Sequence, residues 1–159
     1  MFSSQHMRTD STRTAALPSH ILLLDDNKMG LCARKSVLEE LGYRITAFTG
    51  VQEALDAFES TPFDLVITDY RMPKMNGVQV IERMREQKPG TLAILISGVA
   101  DTLGLSEAST GADIVIQKSN HEITNLVRSV QRLLSRKVTR KPAGAQAAAL
   151  KAKRKTTSS

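Results

Sequence analysis

The chain has a single cysteine, Cys32, so no disulfide can form within it. That fits a reducing cytoplasm. Cys32 falls in a helical pattern and is expected to be a small buried apolar residue. No apolar run approaches the ~18 residues of a membrane span. The stretch 1–19 carries Arg8, Asp10 and Arg13 and no apolar run, so it does not read as a secretory signal. Glycine-rich dinucleotide loops, Walker-type loops and His/Cys clusters at metal spacing are all missing. His6, His20 and His121 are scattered, and His121, near a helix start, reads as a surface residue. These absences argue against a stand-alone metabolic enzyme.

Acidic residues are missing from one end. Residues 136–159 hold eight basic side chains and no acidic one, against a net charge of +6 for all 159 residues. Residues 21–135 hold twelve basic and fifteen acidic side chains, so the middle of the chain is mildly acidic. The basic character belongs to the tail. Its Ala/Lys composition and one-sign charge predict disorder. It reads as a solvated solubility tail, as a nonspecific contact to nucleic-acid phosphates, or as a contact to an acidic partner or anionic lipid. No apolar face supports membrane insertion, and no aromatic residue is present for base stacking. The expected layout is a disordered extension over 1–18, one domain over 19–135 and the basic tail over 136–159.

The middle alternates strand and helix. Ile21-Leu22-Leu23-Leu24, Leu65-Val66-Ile67-Thr68, Leu92-Ala93-Ile94-Leu95-Ile96 and Ile114-Val115-Ile116 are short continuous apolar runs. Such runs suit strands covered on both faces. Arg44-Ile45-Thr46-Ala47-Phe48 alternates, as an edge strand does. Leu31, Lys35, Leu38 and Leu41 mark a first helix, closed by Gly42. Val51, Leu55 and Phe58 mark a second, stopped before Pro62. Val78, Ile81 and Met84 mark a third, ending near Pro89-Gly90. Residues 101–110 form a weaker fourth, with Gly104 and several Ser and Thr lowering helix propensity. Ile123, Leu126, Val127, Val130, Leu133 and Leu134 mark a fifth, opened by a capping-box pattern at Ser119 and Glu122. Five strand–helix repeats predict one α/β domain with a parallel sheet and helices on both faces. All strand C-termini then share one edge, where ligands bind in such sheets.

Chemistry-bearing residues stand at those ends. Asp25 and Asp26 follow the first strand, Asp69 ends the third, Ser97 the fourth, and Lys118 follows the fifth. Each alone has a bland reading: a helix cap, a turn residue or a solvated charge. Together, three carboxylates on one edge repel one another, and a hard dication such as Mg²⁺ relieves that repulsion. Asp69 can then act as a nucleophile toward phosphorus. Lys118 and the metal can neutralise the phosphoryl oxygens, and Ser97 can donate one further hydrogen bond.

The stretch Asp64-Leu65-Val66-Ile67-Thr68-Asp69-Tyr70-Arg71-Met72-Pro73-Lys74-Met75-Asn76-Gly77 resembles the phosphoacceptor signature of response-regulator receiver domains. Leu24-Asp25-Asp26-Asn27, Ser97-Gly98 and Gly111-Ala112-Asp113 leading to Lys118 resemble the family's other motifs. The resemblance spans about residues 19–135. It implies a flavodoxin-like receiver fold, with a five-stranded parallel sheet in the order 2-1-3-4-5. It implies phosphorylation of Asp69 by a sensor histidine kinase or histidine phosphotransfer protein. It also implies Mg²⁺ on Asp26, Asp69 and the Arg71 backbone carbonyl, with Asp25 acting mainly through water. Ser97 and Lys118 would bind the phosphoryl group, and Arg71 and Val99 lie where its hydrolysis is tuned. Such a protein switches or relays within a two-component system and turns over no separate substrate.

Three departures stand out. Ser119 follows Lys118 where the family usually has proline, so a trans bond is expected. Val115 stands where the family often has a swinging aromatic ring. No pattern for an effector domain follows, so output would go through binding partners or phosphate transfer. A pseudo-receiver that keeps the fold without phosphorylation, and a nucleic-acid-associated protein led by its tail, are the competing readings. The residues 101–110 are the natural element to move on phosphorylation.

Overall fold

The computed structural model describes residues 17–136. Residues 1–16 of the predicted extension and the basic tail beyond residue 136 lie outside them.

Among the described residues, five strands and six helices follow in order. They are β1 (His20–Leu24), α1 (Lys28–Glu40), β2 (Arg44–Phe48), α2 (Val51–Ser60), β3 (Leu65–Asp69), α3 (Gly77–Gln87), β4 (Ala93–Ser97), α4 (Ala100–Leu103), α5 (Glu107–Thr110), β5 (Ile114–Gln117) and α6 (122–136). The sheet is wholly parallel, in the order β2-β1-β3-β4-β5. Each pairing is in simple register, with Leu22 opposite Val66 and Ile67 opposite Ile94.

Alternation along each strand sends side chains to two cores. Ile21, Leu23, Ile67, Ile94 and Ile116 pack against Leu31 and Leu38 of α1 and Leu126, Val130 and Leu133 of α6. Leu22, Leu24 and Val66 pack against Leu55 and Phe58 of α2 and Val80 and Met84 of α3. Both faces are covered, which is why the sequence of the inner strands reads as unbroken apolar runs.

Helix ends follow local chemistry. Gly42 closes α1 at φ 97°; its N–H reaches the Glu39 carbonyl at 2.9 Å and the Tyr43 N–H reaches that of Leu38 at 3.3 Å. That is a Schellman closure, which favours glycine. The span 101–110 differs from the single weak helix expected. It is two one-turn helices, α4 and α5, separated where Gly104 turns to φ 64°. Ser106 then restarts the chain as the N-cap of α5, with a reciprocal cap from Ser109.

Two further expectations are corrected. Cys32 is exposed. The inward face of α1 is Leu31, Arg34 and Leu38, so Cys32 falls one position off it, Lys35 is only half-buried and Leu41 is exposed. The capping box at Ser119 does not form. Its hydroxyl accepts the His121 N–H at 3.1 Å, and the Glu122 carboxylate turns instead to Arg34. His121 is exposed, as expected. Among the described residues no peptide bond is cis, the one from Lys118 to Ser119 included.

Candidate functional site

The carboxyl edge of the sheet gathers the residues singled out from sequence. Asp25 leaves β1 held by its own N–H on the Phe48 carbonyl, 3.1 Å away. Asn27 caps α1, accepting from the Met29 and Gly30 N–H groups at 3.0 and 3.3 Å. Asn27 thus does the capping, and the Asp-Asp pair does not. Asp25 is buried and Asp26 exposed. Asp69, the last residue of β3, is buried. One carboxylate oxygen from each of Asp25, Asp26 and Asp69 lies within 4.8 Å of the others.

Lys118 brings an ammonium to this group, its Nζ 2.6 Å from Asp69 Oδ1. Its backbone is fixed by donating from N–H to the Ser97 carbonyl at 2.9 Å. Asp69 Oδ1 is buried, with the Lys118 ammonium as its partner. Burial pushes the Asp69 carboxyl above the usual carboxylate range; Lys118 opposes that shift and Asp25 adds to it. Three carboxylate oxygens gathered within 4.8 Å of one another, as hard oxygen donors that repel when all are charged, fit a hard cation such as Mg²⁺. Ser97 is buried at the end of β4, and its Oγ accepts the Val99 N–H at 3.0 Å. That leaves its proton to donate elsewhere. Arg71 lies in the exposed loop after Asp69.

The loop from β3 to α3 is drawn tight against the site. The Gly77 N–H bonds to the Tyr70 carbonyl at 2.8 Å. A Cβ on Gly77 would stand 2.4 Å from the Asp69 carbonyl oxygen. Only glycine lets α3 start this close to the acceptor's backbone.

Arg34 was missed from sequence. It is buried on α1 and paired through Nη1 with Asp25 Oδ2, and its Nε donates to Glu122 Oε2 at 2.7 Å. Burial opposes its charge, but the bonds to Glu122 and Asp25 outweigh burial and raise its pKa. A signal was present: Arg34 sits in helical register between the apolar Leu31 and Leu38. Gln117 was missed too. Its Oε1 accepts the Asp101 N–H and its Nε2 donates to the Gly98 carbonyl, both at 3.0 Å. It thereby ties the loop after Ser97 to β5. Val115 packs half-buried against the cluster of Ile81, Leu95 and Ala112, as a branched aliphatic does.

A doubly wound α/β domain binds ligands at the carboxyl edge of its sheet, and here that edge holds an acidic pocket and a lysine. The family model of the response regulator receiver domain matches residues 21–131. The chain belongs to that family, whose members are the receiver domains of two-component response regulators and bind Mg²⁺ at an acidic pocket. It is 28% identical over 114 residues to the response regulator receiver protein CpdR of Brucella abortus, covering 72% of this chain and 94% of that one. It is 38% identical over 66 residues to the sensor histidine kinase GacS of Pseudomonas protegens; the match spans 42% of this chain and 7% of the kinase. Among solved structures, the response regulator TrrA of Thermotoga maritima in complex with Mg²⁺-BeF matches with a TM-score of 0.64 and 31% identity, over 72% of this chain and 98% of that one. No helix among the described residues is long and apolar enough to cross a membrane.

Proposed function

We propose that this chain is a cytoplasmic receiver switch or relay that takes a phosphoryl group on Asp69 from the phosphohistidine of a sensor histidine kinase or histidine phosphotransfer protein. The observation that carries the reading is the buried Asp69 carboxylate, held between the Lys118 ammonium and two further carboxylates. An Asp69 oxygen attacks phosphorus, the phosphorus–nitrogen bond to the imidazole breaks, and the imidazole leaves with the electron pair. Asp26, Asp69 and the Arg71 carbonyl would hold Mg²⁺, with Asp25 behind them. A bound Mg²⁺ supplies positive charge to the phosphoryl oxygens. Lys118 supplies a second cation from the side of β5, and the Ser97 hydroxyl donates to a phosphoryl oxygen.

Incubation with Mg²⁺ and acetyl phosphate, read by intact mass, tests this. The expected result is a metal-dependent phosphoryl adduct in the wild type and none in Asp69→Asn. No adduct from acetyl phosphate or from a phosphohistidine donor would leave a pseudo-receiver.

The charge of 136–159 supports a second role for the tail, nonspecific contact to nucleic-acid phosphates. DNA affinity that falls steeply with salt and vanishes on deletion of 136–159 is the expected signature; no binding at low salt removes the idea.

A further inference from the structure

Asp25 is already engaged at both oxygens. Oδ1 accepts the Asn27 N–H at 2.9 Å, and Oδ2 takes the Arg34 guanidinium. Asp26, by contrast, makes no ion pair or hydrogen bond among the described residues. Arg34 reaches Asp25 because α1 carries Gly30 one turn earlier. A Cβ there would stand 3.1 Å from Asp25 Oδ2 and 3.5 Å from Arg34 Nη1. The other side of the guanidinium is held by Glu122, in the first turn of α6 and 88 positions along the chain. An ion-pair chain therefore runs from the acidic pocket to the last helix, and its middle member is buried.

We infer that Arg34 is a positioning residue that keeps Asp25 from direct contact with the cation, and that Glu122 sets from α6 how firmly it does so. This rests on the Mg²⁺ site proposed above. Arg34 and Lys118 both offset the negative charge of the three carboxylates. Removing Arg34 frees Asp25 and makes the pocket more negative, so a divalent cation binds more tightly. Removing the charge of Glu122 leaves the guanidinium undivided on Asp25, so the cation binds more weakly. By linkage, a partner that covers Glu122 at α6 would loosen Mg²⁺, and bound Mg²⁺ would favour the pairing of Arg34 with Glu122. A merely structural Arg34 behaves otherwise. Loss of either contact would then loosen Asp25 and weaken the metal alike.

The experiment is the apparent Kd for MgCl₂ on the full chain, from thermal stabilisation and from calorimetric titration at constant ionic strength. Arg34→Gln is expected to tighten Mg²⁺ about tenfold, within the range usual for coupled sites, although it lowers the stability of the metal-free protein. Glu122→Gln, half-buried and less disruptive, is expected to weaken Mg²⁺ by a few fold. In the Arg34→Gln background that second effect should shrink toward none. Weakening in both single variants, or no change in Arg34→Gln, overturns the inference while leaving the metal site standing. If Arg34→Gln does not fold, Arg34→Met takes its place with the same outcomes expected, and unchanged or tighter binding in Glu122→Gln also overturns the inference. A wild type that binds no Mg²⁺ overturns both the site and the inference.

Discussion

Replacing Gly77 by alanine would place a methyl carbon 2.4 Å from the Asp69 carbonyl oxygen and 2.6 Å from Leu95 Cδ1. The first distance is roughly 1 Å shorter than non-bonded heavy atoms tolerate. The carbonyl is backbone at the end of a buried strand, and it cannot swing aside as a side-chain tip can. Either α3 backs away or the end of β3 moves. Forced insertion of this kind costs about 1–3 kcal/mol. Alanine recovers part of that through helix propensity, up to ~1 kcal/mol and less at a first-turn position. A net loss of about 1–2 kcal/mol lowers Tm by roughly 4–8 °C in a domain of this size. The displaced carbonyl belongs to the proposed acceptor, so phosphorylation should slow as well. A 1 Å misplacement at a reacting group costs about 100-fold. Gly90→Ala is the control, because a Cβ there meets nothing within 4 Å. Differential scanning calorimetry and the rate of acetyl phosphate labelling read both effects. A Gly77→Ala protein with the Tm and labelling rate of Gly90→Ala would refute the claim that this close approach is rigid.

Mg²⁺ at about 100 times its Kd should add about 2.7 kcal/mol to unfolding free energy. EDTA should remove that gain, and Asp69→Ala should show little of it in urea titrations. His20 has its pKa lowered, first by burial and then by Arg44. Its unfolded form takes a proton more readily, so its contribution to stability is present above pH 6.5 and is lost as pH falls through the lowered folded value. An NMR titration should place its midpoint below 6.5, the ordinary value; a midpoint at or above that would contradict the burial argument. Lys88 donates to the Phe58 and Thr61 carbonyls at 2.7 and 3.2 Å and lies over the Phe58 ring. Lys88→Met should cost about 1–2 kcal/mol by leaving the C-terminal carbonyls of α2 without that donor, and equilibrium unfolding measures it.

Much of the fold was legible because burial on both faces leaves a plain mark. The inner strands must be apolar at every position, so their limits and the polar residues that end them stand out. Parallel pairing then brings Asp25, Asp26, Asp69, Ser97 and Lys118 to one edge whatever their separation in the chain. Gly42 closed α1 as expected, because a left-handed residue there favours glycine. The break at Gly104 was signalled only as weak propensity; the split into α4 and α5 came from its positive φ and the fresh cap at Ser106.

What the sequence alone determined was therefore the alternation, the sheet and the row of candidate groups along its edge. Tertiary structure decided which group faces which. Periodicity shows that position 34 points inward but not what waits there. Only the packing of α1 against α6 brings Arg34 to Glu122, and only the turn after β1 brings it to Asp25. The same limit explains Cys32, which a shift of the helical face by one position turns to solvent. It also explains Glu122, whose local pattern favoured a capping box until a buried guanidinium offered the stronger partner.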